Sequence, residues 1–262
     1  NSESILQFGN NAYGKPATAL NILRETVMGR ELFDYSFKTY CQRWMFKHPT
    51  PADFFRTMED ASATDLDWFF RGWFYTTDNV DIALKEVKWY RFDTKNPDIE
   101  KAREREEAQN EFIGDSRNAK ELKGKHYSDA HPEMADFYNK NDDFTVLPYD
   151  REQYKKYRES LNEEQKKYLD AGWNFYEIEF ENQGGLVMPV ILRFTFADGS
   201  TEVSRHPAEI WIQNELRFKK VFVFEKEVVK VELDPFLETA DTDLEDNVWP
   251  EERKASRFEI YR

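Results

Sequence analysis

The stretch 173-WNFYEIEFENQGGLVMPVILRFTFADGS-200 decides the fold. From Trp173 to Asn182 apolar and polar residues alternate, the two-residue period of a strand with one face in a core. Gly184-Gly185 interrupts the pattern, 186-LVMPVILRFTF-196 resumes it, and Asp198-Gly199 follows as a hairpin signal between alternating runs. Downstream, 208-AEIWI-212, 220-KVFVFE-225, 228-VVKVELD-234 and 257-RFEIYR-262 read as further short strands. Strands of this length and spacing, separated by turn residues, predict a β-sandwich.

Upstream the period changes. In 80-VDIALKEVKWYRF-92, Val80, Ile82 and Leu84 alternate with other residues, so this strand is expected to join the sheet. Residues 1–78 read as helical. Pro16 suits a first helical turn, Leu20, Leu23 and Val27 recur at helical spacing, and Gly29 is a stop. Phe33, Phe37, Tyr40, Cys41 and Trp44 form an apolar stripe on a second helix, ended by His48-Pro49. Thr50-Pro51-Ala52-Asp53 restarts a helix with a cap, a first-position proline and an acidic first turn. A fourth helix from Asp65 to Phe74 is apolar nearly all round and is expected to be buried. Residues 93–170 are charged. They contain a polar helix over 98–112 and a helical run over 151–169, and read as an insertion. The organisation expected is α+β: a helical part, 1–78, and a β-sandwich, 79–262, interrupted by 93–170.

Composition limits the partners. With 51 acidic against 37 basic residues the net charge is −14, which repels nucleic-acid phosphates and anionic membrane surfaces. No apolar run reaches the roughly 20 residues of a membrane helix. The single cysteine, Cys41, cannot form an intrachain disulfide and reads as inert packing on the second helix. His126, His131 and Glu133 form a loose metal-ligand spacing, for which solvated loop residues are the favoured reading. The acidic run 238-ETADTDLEDN-247 suggests calcium but lacks the sixth-position Gly and twelfth-position Glu of an EF-hand loop, so it reads as a capped, irregular loop. No nucleophile elbow, phosphate loop or zincin helix motif is present.

Three stretches together resemble the aminopeptidase N family of gluzincin zinc metallopeptidases. Tyr13-Gly14-Lys15, with Leu20, Leu23 and Arg24 beyond it, is similar to that family's Tyr-x-Lys-Gly segment. Residues 31–74 resemble the helices behind its tyrosine, through Tyr40, Pro49-Thr50, Asp53-Phe54, Glu59-Asp60, Leu66, Phe69 and Trp73. Residues 183–200 and 233–250 look like the β-sandwich that follows the peptidase domain. The resemblance implies that Tyr13 is catalytic, its neutral phenol donating to the oxyanion of peptide hydrolysis beside a zinc that acts as Lewis acid.

The pattern also departs from the family. The chain contains neither His-Glu-x-x-His nor the Gly-x-Met-x-Asn substrate loop, and Gly14-Lys15-Pro16 replaces the commoner Glu-Lys-Gly. The 93–170 insertion and the stop after the sandwich are further departures. The expectation is therefore the C-terminal portion of a zinc aminopeptidase acting on peptides, with zinc ligands on a missing N-terminal part. The fragment alone is expected to bind no catalytic zinc and to hydrolyse nothing. Family habit and the missing disulfides favour a bacterial exported or periplasmic setting. Two alternatives remain. One is a non-catalytic interaction module. The other is a glycan-binding sandwich using Trp173, Trp211 and Trp249, although Trp211 fits core packing better.

Overall fold

A computed structural model describes residues 6–108, 113–114, 116–117, 131–134, 136–137 and 141–251. The proposed strand at 257–262 and His126 lie outside the described residues. The chain divides into two compact units, one of residues 1–90 with 174–262 and one of residues 91–173.

The first unit is α+β. Its helices are α1 (Lys15–Ile22), α2 (Arg30–Trp44), α3 (Pro51–Ser62) and α4 (Asp67–Tyr75). Its strands are β1 (Ile82–Arg91), β2 (Asn174–Asn182), β3 (Val190–Phe196), β4 (Thr201–His206), β5 (Arg217–Phe224), β6 (Val228–Leu233) and β7 (Val248–Trp249). They form a three-stranded sheet, β1-β2-β5, and a four-stranded sheet, β4-β3-β6-β7. The strand over 80–92 thus does pair with the strand that follows the insertion. β2 runs antiparallel to β5, with Tyr176 opposite Phe222 and Phe180 opposite Phe218. β3 lies antiparallel between β4 and β6.

The alternation in β2 does what the sequence requires. Tyr176, Ile178 and Phe180 are buried and the residues between them are half-buried. Phe194 of β3 meets Phe222 and Phe224 of the other sheet at ring-centroid distances of 5.0 and 4.7 Å. One apolar cluster continues from these rings through Met188 and Leu186 to Trp73, Phe69, Leu66, Met58 and Leu23 of the helices. At Gly72 of α4 a Cβ would stand 2.3 Å from Leu186 Cδ2, so the helix packs close to the chain leading into β3. The Asp198-Gly199 turn joins β3 to β4, with Gly199 at φ +80°, a conformation glycine adopts without steric cost.

Three expectations need correction. Residues 208–211 form a 3₁₀ turn, not a strand. Pro207 begins it, and Ala208 and Trp211, three apart, share the buried side while Ile212 points into solvent. Cys41 is exposed, because it is rotated about 100° from Tyr40 and about 70° from the centre of the stripe formed by Phe33, Phe37, Tyr40 and Trp44. The helical run over 151–169 is two helices, Pro148–Ser160 and Glu163–Asp170, both in the second unit with a further helix at Pro97–Glu107. Asn162 divides them through a reciprocal cap. Its Oδ1 accepts from Gln165 N at 2.8 Å, and Gln165 Oε1 accepts from Asn162 N at 3.0 Å. Among the described residues no helix is long and apolar enough to cross a membrane.

Candidate functional site

Tyr13 lies within a helical run rather than just before one. A π-helical turn over Asn10–Gly14 precedes α1, and Lys15 N–H donates to Asn10 O, five residues back. Proline explains the widening. Pro16 has no N–H for the carbonyl four residues behind it, and its ring crowds that carbonyl; an enlarged turn relieves both. A second π turn, Leu23–Val27, follows α1.

The inward side of this run is fixed. Ala19, Ile22 and Leu23 are buried. Arg24 donates to both carboxylate oxygens of Asp34 on α2, at 2.7 and 3.0 Å, and Glu25 accepts from Arg24 and Arg30. The Arg24 hydrogen bonds hold the Asp34 carboxyl below the usual carboxylate range. The outward side is open. Tyr13 is 68% exposed, and its ring meets Phe8 edge to face at 5.9 Å. Its hydroxyl has no hydrogen-bond partner among the described residues, and a Cβ on the neighbouring Gly14 would meet nothing within 4 Å. Leu6 and Phe8 are exposed beside it in sequence. A phenol so placed has a free donor and a free acceptor.

The other helical residues that carry the resemblance are packing groups. Leu66, Phe69 and Trp73 are buried, and Tyr40 packs edge to face on Phe54 at 4.9 Å. Asp53 accepts from Thr50 N at 2.8 Å, which caps α3 as its sequence predicts. The Asp53 carboxyl is lowered first by that backbone hydrogen bond.

Glu59, Asp65 and Asp67 bring carboxylate oxygens within 4.8 Å of one another. Each has a local task. Glu59 Oε1 accepts from Leu66 N at 2.9 Å, Asp65 Oδ1 accepts from Asp67 N at 3.1 Å, and Asp67 lies in the first turn of α4. Desolvation raises the Glu59 carboxyl, with Asp67, Asp65 and Asp60 adding repulsion. Glu59 and Asp67 border a groove of about 610 Å³ that also touches Phe55, Arg56, Arg71 and Leu186. This set does not fit a catalytic zinc. It contains only oxygens, whereas hydrolytic zinc sites are built largely on imidazole. Of the described histidines, His48, His131 and His206, none joins the acidic group; His206 stands by Ser204 at 3.1 Å and His131 by Glu133 at 3.2 Å.

Trp211 is buried and donates from Nε1 to Met188 O at 2.9 Å, so it offers no sugar-stacking face. Trp249 packs half-buried against the core. The acidic run at 238–247 is an irregular loop, as expected, but it lies against 79–84, a contact that sequence reading did not foresee. No protein-family model matches this chain, and a search of curated proteins finds no match either.

Proposed function

We propose that this chain is part of a peptidase that removes N-terminal residues from peptides, with Tyr13 as the donor to the oxyanion. The observation that carries this reading is the presentation of Tyr13. A hydroxyl without a partner among the described residues projects from a helical run that is anchored further along by Ala19, Ile22, Leu23 and the Arg24–Asp34 pair. A donor held in place before charge develops needs no reorganisation as the carbonyl becomes tetrahedral, which is what makes such groups effective. A neutral phenol suits the task at pH 7 because its pKa, ordinarily near 10, keeps the proton on it. The described residues do not supply a zinc site or an evident general base, so Tyr13 is the only role assigned here.

Exposed Leu6, Phe8 and Tyr13 also favour a second reading, in which this surface binds a protein partner without catalysis. One experiment separates the two. The natural full-length protein is incubated with a peptide bearing a free N-terminus and with the same peptide acetylated, and released amino acids are measured by mass spectrometry. An aminopeptidase trims the first and leaves the second intact. Absence of release from both, or internal cleavage of both, would exclude the proposed activity. The 262-residue chain alone is expected to release nothing.

A further inference from the structure

Three segments distant in sequence converge where β1 begins: 79–84, 183–185 and 241–247. Gln183 and Gly184 donate their N–H groups to Asp81 O at 2.8 and 3.1 Å. Leu84 N donates to Asp246 O at 3.1 Å, and Leu233 N to Asn247 O at 2.8 Å. Thr242 donates from both N and Oγ1 to Val80 O, at 3.0 and 2.9 Å. Gly184 allows this close approach, since a Cβ there would stand 2.3 Å from Asn79 O and 2.8 Å from Asp81 N. The backbone thus fixes where the side chains of Asp81, Asp241, Asp246 and Asn247 stand.

Those side chains are left with unmet demands. Asn247 is only 3% exposed, and its Oδ1 has no hydrogen-bond partner among the described residues. Its Nδ2 donates to Asp241 Oδ2 at 3.3 Å, which holds the side-chain amide against that carboxylate. Asp81 Oδ1 and Asp246 Oδ1 are also buried without a partner among the described residues. A buried oxygen left unpaired costs about 1–3 kcal/mol, more when charged, so three of them around one acidic cluster call for a positive group. Among the described residues no lysine or arginine supplies it. Burial comes first in raising the carboxyls of Asp81, Asp241 and Asp246, and neighbouring aspartates add to it. The Asp246 carboxyl is pushed up to about 6.

We infer that Asp81, Asp241, Asp243, Asp246 and the side-chain oxygen of Asn247 form a binding site for one calcium ion. The donors are all oxygen, which selects a hard cation, and four carboxylates with an amide oxygen exceed the one or two carboxylates that magnesium ordinarily takes, which suits calcium over magnesium. The oxygens of these carboxylates do not meet within 4.8 Å as those of Glu59, Asp65 and Asp67 do, so occupation by one ion requires their side chains to rotate toward it. The tighter trio carries no such inference, because it has no buried oxygen without a partner. The site lies wholly within the first unit and is independent of the peptidase reading.

The test uses the chain stripped with a chelator, then titrated with calcium chloride or magnesium chloride by calorimetry and followed by thermal unfolding. One calcium per chain is expected, with magnesium at least tenfold weaker. At calcium a hundredfold above Kd the midpoint should rise by about 5–10 °C. Asp246→Asn should lower calcium affinity at least tenfold, while the metal-free variant is no less stable than the metal-free parent, because a disfavoured charge has gone. Asp243→Asn, at an exposed position, provides a second variant whose fold is not at risk, with the same loss expected. Absence of binding at 10 mM calcium, or binding that survives in both variants, would overturn the assignment.

Discussion

Replacing Tyr176 by Phe removes one oxygen from the centre of the first unit. Tyr176 is 0% exposed. Its hydroxyl accepts from Val228 N at 2.8 Å and lies 3.4 Å from Val228 O, tying β2 of one sheet to the start of β6 in the other. The ring stays, stacked on Trp89 at 6.1 Å, so little apolar burial is lost. What is lost is the partner of a buried N–H, a cost of about 1–3 kcal/mol. For a unit of this size that corresponds to a fall in midpoint of roughly 2–4 °C per kcal/mol, or about 4–8 °C for the central value. Urea unfolding followed by circular dichroism should show the lower midpoint with an unchanged slope. Tyr13→Phe is the internal control. The same oxygen is removed from an exposed ring whose only aromatic contact among the described residues is Phe8, so the midpoint should move by less than about 1 °C. Equal stability of the Tyr176→Phe variant and the parent would refute the account of how the two sheets are joined.

Other substitutions test separate parts of the structure. Gly184→Ala should destabilise by about 1–3 kcal/mol, because its Cβ meets backbone atoms that cannot swing aside; an unchanged urea midpoint would contradict the close approach. Trp211→Phe removes the donor to Met188 O and should cost about 1–3 kcal/mol without altering any glycan-array signal; loss of a glycan signal with stability intact would restore the sugar-binding alternative. Burial lowers the His206 pKa, with Lys220 adding to it. The unfolded chain therefore binds more protons than the folded one between that lowered value and about 6.5. Stability should consequently fall as pH drops from 7.5 through this window, and the fall should be smaller in His206→Gln; identical pH profiles would rule out His206 as a source.

Much of the fold was legible because local patterns and tertiary demands agree. The period of two in β2 is the period of its burial, and the Asp198-Gly199 turn supplies the positive φ its hairpin needs. The misread elements are those where two periods coincide. Ala208, Ile210 and Ile212 alternate like a strand, but Ala208 and Trp211 also share a 3₁₀ face, and Pro207 favours the turn. β4, 201-TEVSRH-206, is implied by the Asp198-Gly199 hairpin signal, but its bounds are not legible because it is an edge strand with little apolar alternation. Cys41 was placed inward by its neighbours in sequence, and its angular position on the helix decides otherwise. Tyr13 was singled out by resemblance, and composition alone would have left it a packing residue. The cation site was half legible. The acidic loop was noticed, but an EF-hand template expects most ligands from one loop, whereas Asp81 is brought to this one only by the pairing of 79–84 with 241–247.

The role of Tyr13 is tested most directly by the turnover of Tyr13→Phe in the natural full-length protein, measured on an aminoacyl anilide beside a thermal melt of the same sample. Loss of one oxyanion donor should lower kcat by about 10²–10³ with KM little changed, while the midpoint stays at that of the parent. A kcat within threefold of the parent at equal stability would contradict the assignment.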